Sequence, residues 1–418
     1  MSMPLGYRIQ KEKNTIGFRK ETNSVKTGKI ILDKNESHML TIASTGAGKG
    51  RGNIIPACLK YKGSLIVLDV KGEAARVTAK ARAKFSQVYI IDPFEKVTNS
   101  PAKFNPFDML VDTGSQEQNG IMIAKALQPQ DGTLRDDPYW DNTSHQLLSA
   151  ICIHALTTDK SFSKMRSLIC SDDVTYKLAL MFDAKEIKNK LALDLISGFL
   201  SVAEITRSCT LSCAQQHLEI LGTSKVLDSL DGPTSFSVKD LVDGKPITLY
   251  FVIPPNKLAS YSTLLRLWFT SLLQLFTERE KRPKLATLFL IDECANLGRI
   301  DGLVTAITLL RSYGIRLWLF FQSLGQMKST YKLEYSTIFD NCDFIQAYGF
   351  KHYPTAKEMS EFIGTLTPAQ LLSMPKEHAV LMQAGQPVEV MKRLDYLKDA
   401  IFKNSGFEKN SFYEFSKI

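Results

Sequence analysis

The chain has 418 residues, 44% of them apolar, which is ample length for one large sheet core and a second unit beside it. Its seven cysteines, an odd number with no C-x-x-C pair, argue for reduced thiols and against a disulfide framework or a zinc ribbon. The net charge of +9 suits contact with DNA phosphates, although many proteins that never meet nucleic acid share it; without a helix-turn-helix, zinc-finger or RNA-binding signature, it argues against sequence-specific reading.

The first thirty-five residues carry Arg8, Lys11, Lys13, Arg19, Lys20, Lys26 and Lys29 among few acids, and no apolar core follows to make them a signal peptide. Residues 38–43 (HMLTIA) then predict a strand. The stretch behind it, Ser44-Thr45-Gly46-Ala47-Gly48-Lys49-Gly50, precedes a helical pattern and predicts a phosphate-gripping loop at a helix N-terminus. Glycines let backbone N–H groups close on phosphate oxygens, and Lys49 reaches the β/γ-phosphates. Ser44, Thr45, Gly46, Ala47, Gly48, Lys49, Gly50 and Arg51 are therefore the expected ATP contacts. Two positions depart from G-x-x-x-x-G-K-[ST]: Ala43 replaces the first glycine, and Gly50 stands where a hydroxyl ligates Mg²⁺.

Residues 64–69 (SLIVLD) and 87–91 (QVYII) predict further strands. Asp69 and Lys71-Gly72-Glu73 at the end of the first read by themselves as a polar turn that ends a strand. From about 113 to 239 the texture changes. Leucine, alanine and methionine recur at three- and four-residue spacing, as in Leu147, Leu148, Ile151 and Ala155, and predict an inserted all-α domain. Within it, Trp140 in DPYWDN reads as a core or hinge aromatic at a capped helix start. Cys209, Cys213 and His217 share a helical face, but one helix wraps a metal poorly, so core packing is the expected role.

Strands resume at 247–253 (ITLYFVI) and 285–291 (LATLFLI). The second is a continuous apolar run, as a strand buried on both faces requires. It ends in Asp292-Glu293, the Walker B arrangement, with Asp292 expected to hold Mg²⁺ and Glu293 to polarise the attacking water. Nineteen residues after Asp292 comes Arg311, at the end of a predicted helix, from which it can point at a neighbouring subunit. Residues 315–321 (IRLWLFF) predict a strand with Gln322 at its carboxyl edge, where an amide senses γ-phosphate or orients water. After 343–348 (DFIQAY), residues 378–383 and 388–392 flank Ala384-Gly385-Gln386-Pro387 and predict a hairpin at one edge of the sheet. Strands alternating with helices imply an α/β, doubly wound, mainly parallel sheet.

The segments ASTGAGKGRGNIIPACL, LIVLDVKGE, YIIDPF, FNPFDML, DPYWDN, ITLYFVIPPN, LFLIDECANLGRID, LLRSYGIRLWLFFQSLGQ and NCDFIQAYG occur in this order from about Glu36 to residue 365. In this the chain resembles the type IV coupling proteins, the TraG-type ATPases of conjugation and type IV secretion. The resemblance implies a RecA-like P-loop ATPase domain (1–112 and 240–395) carrying an inserted all-α domain (113–239), followed by a C-terminal tail (396–418). It also implies ATP and Mg²⁺ as cofactors, and Lys49, Glu293, Gln322 and a trans-acting Arg311 as catalytic residues. The Ala43 and Gly50 departures both occur in that family, which also keeps an Asp-x-Lys-Gly-Glu element where Asp69 and Lys71-Gly72-Glu73 stand, implying support of the nucleotide site or of the pore. Its members form hexameric rings that pass a relaxase–DNA complex or protein effectors to a secretion channel, gripping single- or double-stranded DNA by its backbone without sequence specificity. The alternatives are a receptor that uses ATP only to assemble and present cargo, or a DNA translocase outside secretion. Typical members begin with two transmembrane helices, and no window here approaches the ~20 apolar residues that span a bilayer. The expected location is therefore cytoplasmic or peripheral at the inner face of the membrane, docked on a separate membrane-anchored partner, unless an anchor has been removed.

Overall fold

The computed structural model describes residues 3–9, 27–33, 36–110, 115–128 and 139–411. Lys11, Lys13, Arg19, Lys20 and Lys26, the expected boundary at 113 and the Asp137-Pro138 start of DPYWDN lie outside them. Strands β1 (Met3–Ile9), β2 (Thr27–Asp33), β3 (His38–Ala43), β4 (Leu65–Leu68), β5 (Gln87–Ile91), β6 (Ile247–Phe251), β7 (Thr287–Ile291), β8 (Ile315–Phe321), β9 (Cys342–Tyr348), β10 (His378–Gln383) and β11 (Glu389–Arg393) form one sheet. Their spatial order is β2-β1-β11-β10-β9-β3-β8-β7-β4-β6-β5. From β9 to β5 every pairing is parallel; β10, β11, β1 and β2 continue it antiparallel.

The parallel strands are apolar at almost every position because both their faces are covered. Along β3, Met39 and Ala43 enter one apolar cluster while Leu40 and Ile42 enter another. Along β7, Leu288 and Leu290 face the first cluster, Phe289 and Ile291 the second. This two-residue alternation places a core on each side of the sheet.

After β3 the chain forms a π-turn (Gly50–Ile54) and helix α1 (Ile55–Lys60); after β4 it forms α2 (Glu73–Arg82). Between β5 and β6 the described residues contain helices and no strand. These are α3 (Pro106–Leu110), α4 (Gln116–Leu127), α5 (Tyr139–Thr157), α6 (Phe162–Ile169), α7 (Val174–Asp183), α8 (Lys190–Ser201), α9 (Glu204–His217), α10 (Ser224–Leu230) and α11 (Val238–Val242). They are not detached from the sheet. Helix α12 (Ser262–Phe276) packs on α3 and α4, its Trp268 ring stacks 6.2 Å from Phe104, and its indole N–H donates to the Phe104 carbonyl at 3.1 Å. One apolar cluster runs from Ile42 and Leu68 through Trp268 into Leu148, Ile151 and Phe162. Among the described residues no helix is long and apolar enough to cross a membrane.

Two features depart from the sequence reading. The basic N-terminal stretch contributes β1 and β2, whose pairing is interrupted between Pro4 and Gly6 and between Tyr7 and Ile9, so the strand alternation is broken in the sequence. Consequently the β10–β11 hairpin is not at an edge; β11 is covered by β1. The segment after β11 turns back over α1 and α2, burying Tyr396 and Phe402 against Ile55, Leu59, Val77 and Ala81.

Arg82, fully buried on α2, bolts three elements together. Its guanidinium donates to the Thr248 hydroxyl on β6 (2.6 Å) and to the carbonyls of Cys58, Tyr61 and Gly63 (2.8, 2.7 and 2.9 Å) around the α1–β4 turn. Replacement by methionine keeps the bulk and strands those acceptors without water. Arg82→Met is expected to cost about 3 kcal/mol, measured as the shift of the urea midpoint at unchanged slope; a loss below ~1 kcal/mol would show that the acceptors find other donors.

Candidate nucleotide-binding site

β3 ends at Ala43, and Ser44 to Lys49 form a turn at its carboxyl edge. Gly46 and Gly48 adopt φ of +77° and +87°, where side-chain-bearing residues are strained. The Ser44 hydroxyl donates to the Gly349 carbonyl at 2.5 Å, and a Cβ placed on Gly349 (φ +76°) would stand 2.5 Å from that of Ala47. Glycine at 349 therefore lets the end of β9 close against the loop. Pro56, at the start of α1, has no N–H to return to the Gly52 carbonyl, and the turn before it widens to π geometry, with Ile55 N–H reaching Gly50.

The loop is braced from behind by Arg393 at the end of β11. Its guanidinium donates to the carbonyls of Ala47 and Gly48, both at 2.7 Å, and lies 3.6 Å over the Tyr348 ring. A Cβ on Gly52 would meet the same guanidinium at 2.7 Å. Sequence reasoning missed Arg393, because no local pattern ties the end of a hairpin to a loop more than three hundred residues earlier. The expectation for Arg51 is corrected in turn. Its side chain makes a bidentate pair with Asp395 (2.7 and 2.6 Å) and does not line the cavity. Ala47 does not line it either: its N–H closes the turn on Ser44 O at 3.1 Å.

In front of the loop lies a cavity of about 450 Å³. Ser44, Thr45, Gly46, Gly48, Lys49 and Gly50 form one wall; Asp69, Lys71 and Glu73, with Asp292, Glu293 and Gln322, form the others. Asp292 and Glu293 follow β7, and Gln322 follows β8, the strand between β7 and β3. Lys49, 8% exposed, donates to the Ala43 carbonyl at 3.1 Å and pairs with Glu293 Oε1 at 3.3 Å. Gln322 Nε2 donates to Glu293 Oε2 at 2.6 Å. Glu293 itself has φ of +53°, a strained conformation for a side-chain-bearing residue and one that collects at functional sites. Burial pushes the Asp292 carboxyl up to about 7; the Glu293 charge adds to the rise and Lys49 opposes it. Burial also lifts Asp69 to about 6, against hydrogen bonds from backbone N–H groups that include Ala75 and Glu73 at the start of α2.

Arg311 is not brought to this cavity. It follows α13 (Asp301–Leu309) and pairs with Asp343 at 3.1 Å and with the Ser37 hydroxyl at 3.4 Å, at the amino ends of β9 and β3, the opposite edge of the sheet. Trp140 is half-buried rather than a core residue, and lines a surface groove with Ile205, Cys209 and Cys213 of α9. His217 Nε2 faces Asp141 at 4.0 Å.

A glycine loop with a buried lysine at the carboxyl edge of a mainly parallel sheet, faced by an acidic pair and an amide, defines a P-loop nucleotide-binding fold. Residues 5–370 match the family described as Type IV secretory system Conjugative DNA transfer, and the chain belongs to it, as its motifs led us to expect. It is 26% identical over 350 residues to the type IV secretion system-coupling protein VirD4 of Bartonella henselae, covering 80% of this chain and 54% of that protein. To the conjugal transfer protein TraG of Agrobacterium fabrum it is 28% identical over 344 residues, covering 79% and 51%. The chain thus spans about half the length of these curated relatives. Among solved structures it is similar to the bacterial conjugative coupling protein TrwBdeltaN70 in its unbound form, with a TM-score of 0.66, 17% identity and coverage of 86% and 85%. It is also similar to the plasmid coupling protein TrwB in complex with ADP and Mg²⁺, with a TM-score of 0.67, 16% identity and coverage of 90% and 88%. These likenesses show the fold, a RecA-like mainly parallel sheet.

The Arg393 brace has a measurable consequence. Arg393→Met is expected to cost about 2 kcal/mol, since two charge-assisted hydrogen bonds to the loop disappear, and to speed amide hydrogen exchange across residues 46–50. Arg393→Lys should recover little, because a point charge cannot fork between two carbonyls. Unchanged exchange in both variants would mean that the loop holds its shape unaided.

Proposed function

We propose that this chain binds ATP with Mg²⁺ in the Lys49 cavity, hydrolyses the nucleotide, and couples hydrolysis to moving or handing over cargo to a type IV secretion or conjugation channel. The observation that carries the proposal is the convergence of Lys49, Glu293 and Gln322, from three strands, on one cavity. The residues present fit a magnesium nucleotide. Asp69, Glu73, Asp292 and Glu293 line the cavity, and burial, with smaller contributions from the Glu293 and Asp69 charges, raises Asp292. A magnesium ion held by Asp292 would supply positive charge against the negative charge that builds up on the phosphates during transfer.

Lys49 and the N–H groups of the loop grip the phosphates, and Asp292 supplies the carboxylate for the metal. Lys49 drawn to phosphate leaves Glu293 to polarise the attacking water, with Gln322 holding both in line. Arg311 serves the cavity of the next subunit. A ring interface is heterologous, joining different faces of two copies, so a residue at the far edge of the sheet is available in trans; its side chain is 42% exposed. On this reading the cargo is a relaxase–DNA complex or a protein effector, the partners are DNA and channel components, and the working form is a homo-hexamer.

The ATPase rate with and without single-stranded DNA tests the reading. The parent should turn over faster with DNA, Lys49→Ala should lose nucleotide binding, and Glu293→Gln should bind and fail to hydrolyse. Hydrolysis by Glu293→Gln at the parent rate would remove Glu293 from the mechanism. Arg311→Ala should bind ATP and hydrolyse it roughly a thousandfold more slowly. Mixing it with Lys49→Ala protein should restore part of the rate, since a mixed interface pairs an intact Lys49 with an intact Arg311. Mixed oligomers that stay inactive would make Arg311 a structural partner of Asp343 alone.

A further inference from the structure

Position 50 is the place where phosphate-gripping loops carry the Ser or Thr hydroxyl that ligates Mg²⁺, and here it has no side chain. Another oxygen stands beside the gap. A Cβ placed on Gly50 would lie 3.5 Å from Glu73 Oε2 and 3.7 Å from both Cδ and Oε1, so the carboxylate of α2 borders the space into which the hydroxyl would project. Glu73 is built into this position. Gly72 turns the chain at φ of +68°, and a Cβ there would meet Val97 at 2.4 Å, so only glycine brings the start of α2 so close. Asp69 accepts the N–H groups of Glu73 and Ala75 at 3.0 and 2.8 Å and holds that first turn. Asn410, 6% exposed in the C-terminal segment, donates to Glu73 Oε1 at 2.8 Å and to the Tyr396 hydroxyl at 2.8 Å, and Oε2 is the oxygen nearer Gly50.

We propose that Glu73 replaces the absent loop hydroxyl as an oxygen donor to the magnesium nucleotide, and that Asn410 is the positioning residue that aims it. This rests on the proposed nucleotide reading. Mg²⁺ takes one or two carboxylates together with phosphate oxygens and water, so Glu73 and Asp292, lining one cavity, are a sufficient protein share. The exchange has a chemical consequence. A hydroxyl is neutral, whereas Glu73 repels a phosphate chain that arrives without its cation, so nucleotide binding depends on Mg²⁺ more steeply than in a hydroxyl-bearing loop.

The test is a titration of MgCl₂ against a fluorescent ADP analogue, read by anisotropy, with a parallel series in EDTA. For Glu73→Gln the Mg²⁺ midpoint should rise about tenfold or more, while affinity in EDTA holds or improves. Gly50→Ser added to Glu73→Gln should return the midpoint toward the parent value, which misfolding would not allow. Asn410→Ala, leaving loop and carboxylate intact, should move the midpoint in the same direction by a smaller factor. Equal Mg²⁺ midpoints in the parent, Glu73→Gln and Asn410→Ala would overturn the proposal and leave the nucleotide reading standing. A parent that binds the analogue neither with nor without Mg²⁺ would overturn both.

Discussion

Lys49 is the residue on which the arrangement of the site turns. An ammonium at 8% exposure survives only with partners, and it takes them from two strands: the Ala43 carbonyl that ends β3 and the Glu293 carboxylate that follows β7. Glu293 passes the connection to Gln322 after β8 through its second oxygen. Backbone ladders align these strands along their length, and side-chain hydrogen bonds tie their carboxyl ends where the ladder stops. The left-handed backbone of Glu293 is held against its own preference by this pairing.

The loop owes its shape to the last quarter of the fold as much as to its glycines. Arg393 occupies two of its carbonyls, Asp395 holds Arg51, and Asn410 reaches Glu73 across the cavity wall. All three come from β11 and the segment that returns over α1 and α2. Closing so long a chain costs little more entropy than closing a shorter one, because the cost grows only logarithmically with length. Distance along the chain is therefore no obstacle to building a phosphate site from its two halves.

Between β5 and β6 the helices add their own packing without leaving the sheet's core. Trp268 joins the two by ring stacking and by its bond to the Phe104 carbonyl, and the Arg266 guanidinium on the same helix donates to the Gln128 carbonyl at 3.1 Å beyond α4. A close-packed interior is poorly compressible and passes displacement on.

Much of this was legible in residues 38–43, 64–69, 285–291 and 315–321, because strands buried on both faces are mostly apolar and these runs stop at the polar residues Ser44, Asp69, Asp292 and Gln322. The Ser44–Gly50 loop was legible for a related reason: left-handed backbone and phosphate approach demand glycine at particular steps. β1 and β2 escaped notice since bulges and the charged Arg8 and Lys29 break their alternation, and the hairpin was placed at an edge because nothing in it announces that β1 will cover β11. Arg51 stood among the expected ATP contacts, yet it pairs with Asp395, while Arg393 braces the loop without any local sign. By itself the sequence determined which segments are the buried parallel strands and which turn can hold an anion, since hydrophobic period and φ freedom are local properties. Only the tertiary structure decided the neighbours of each strand and the partners of each arginine and carboxylate, because those depend on which groups the packed chain leaves within hydrogen-bond reach.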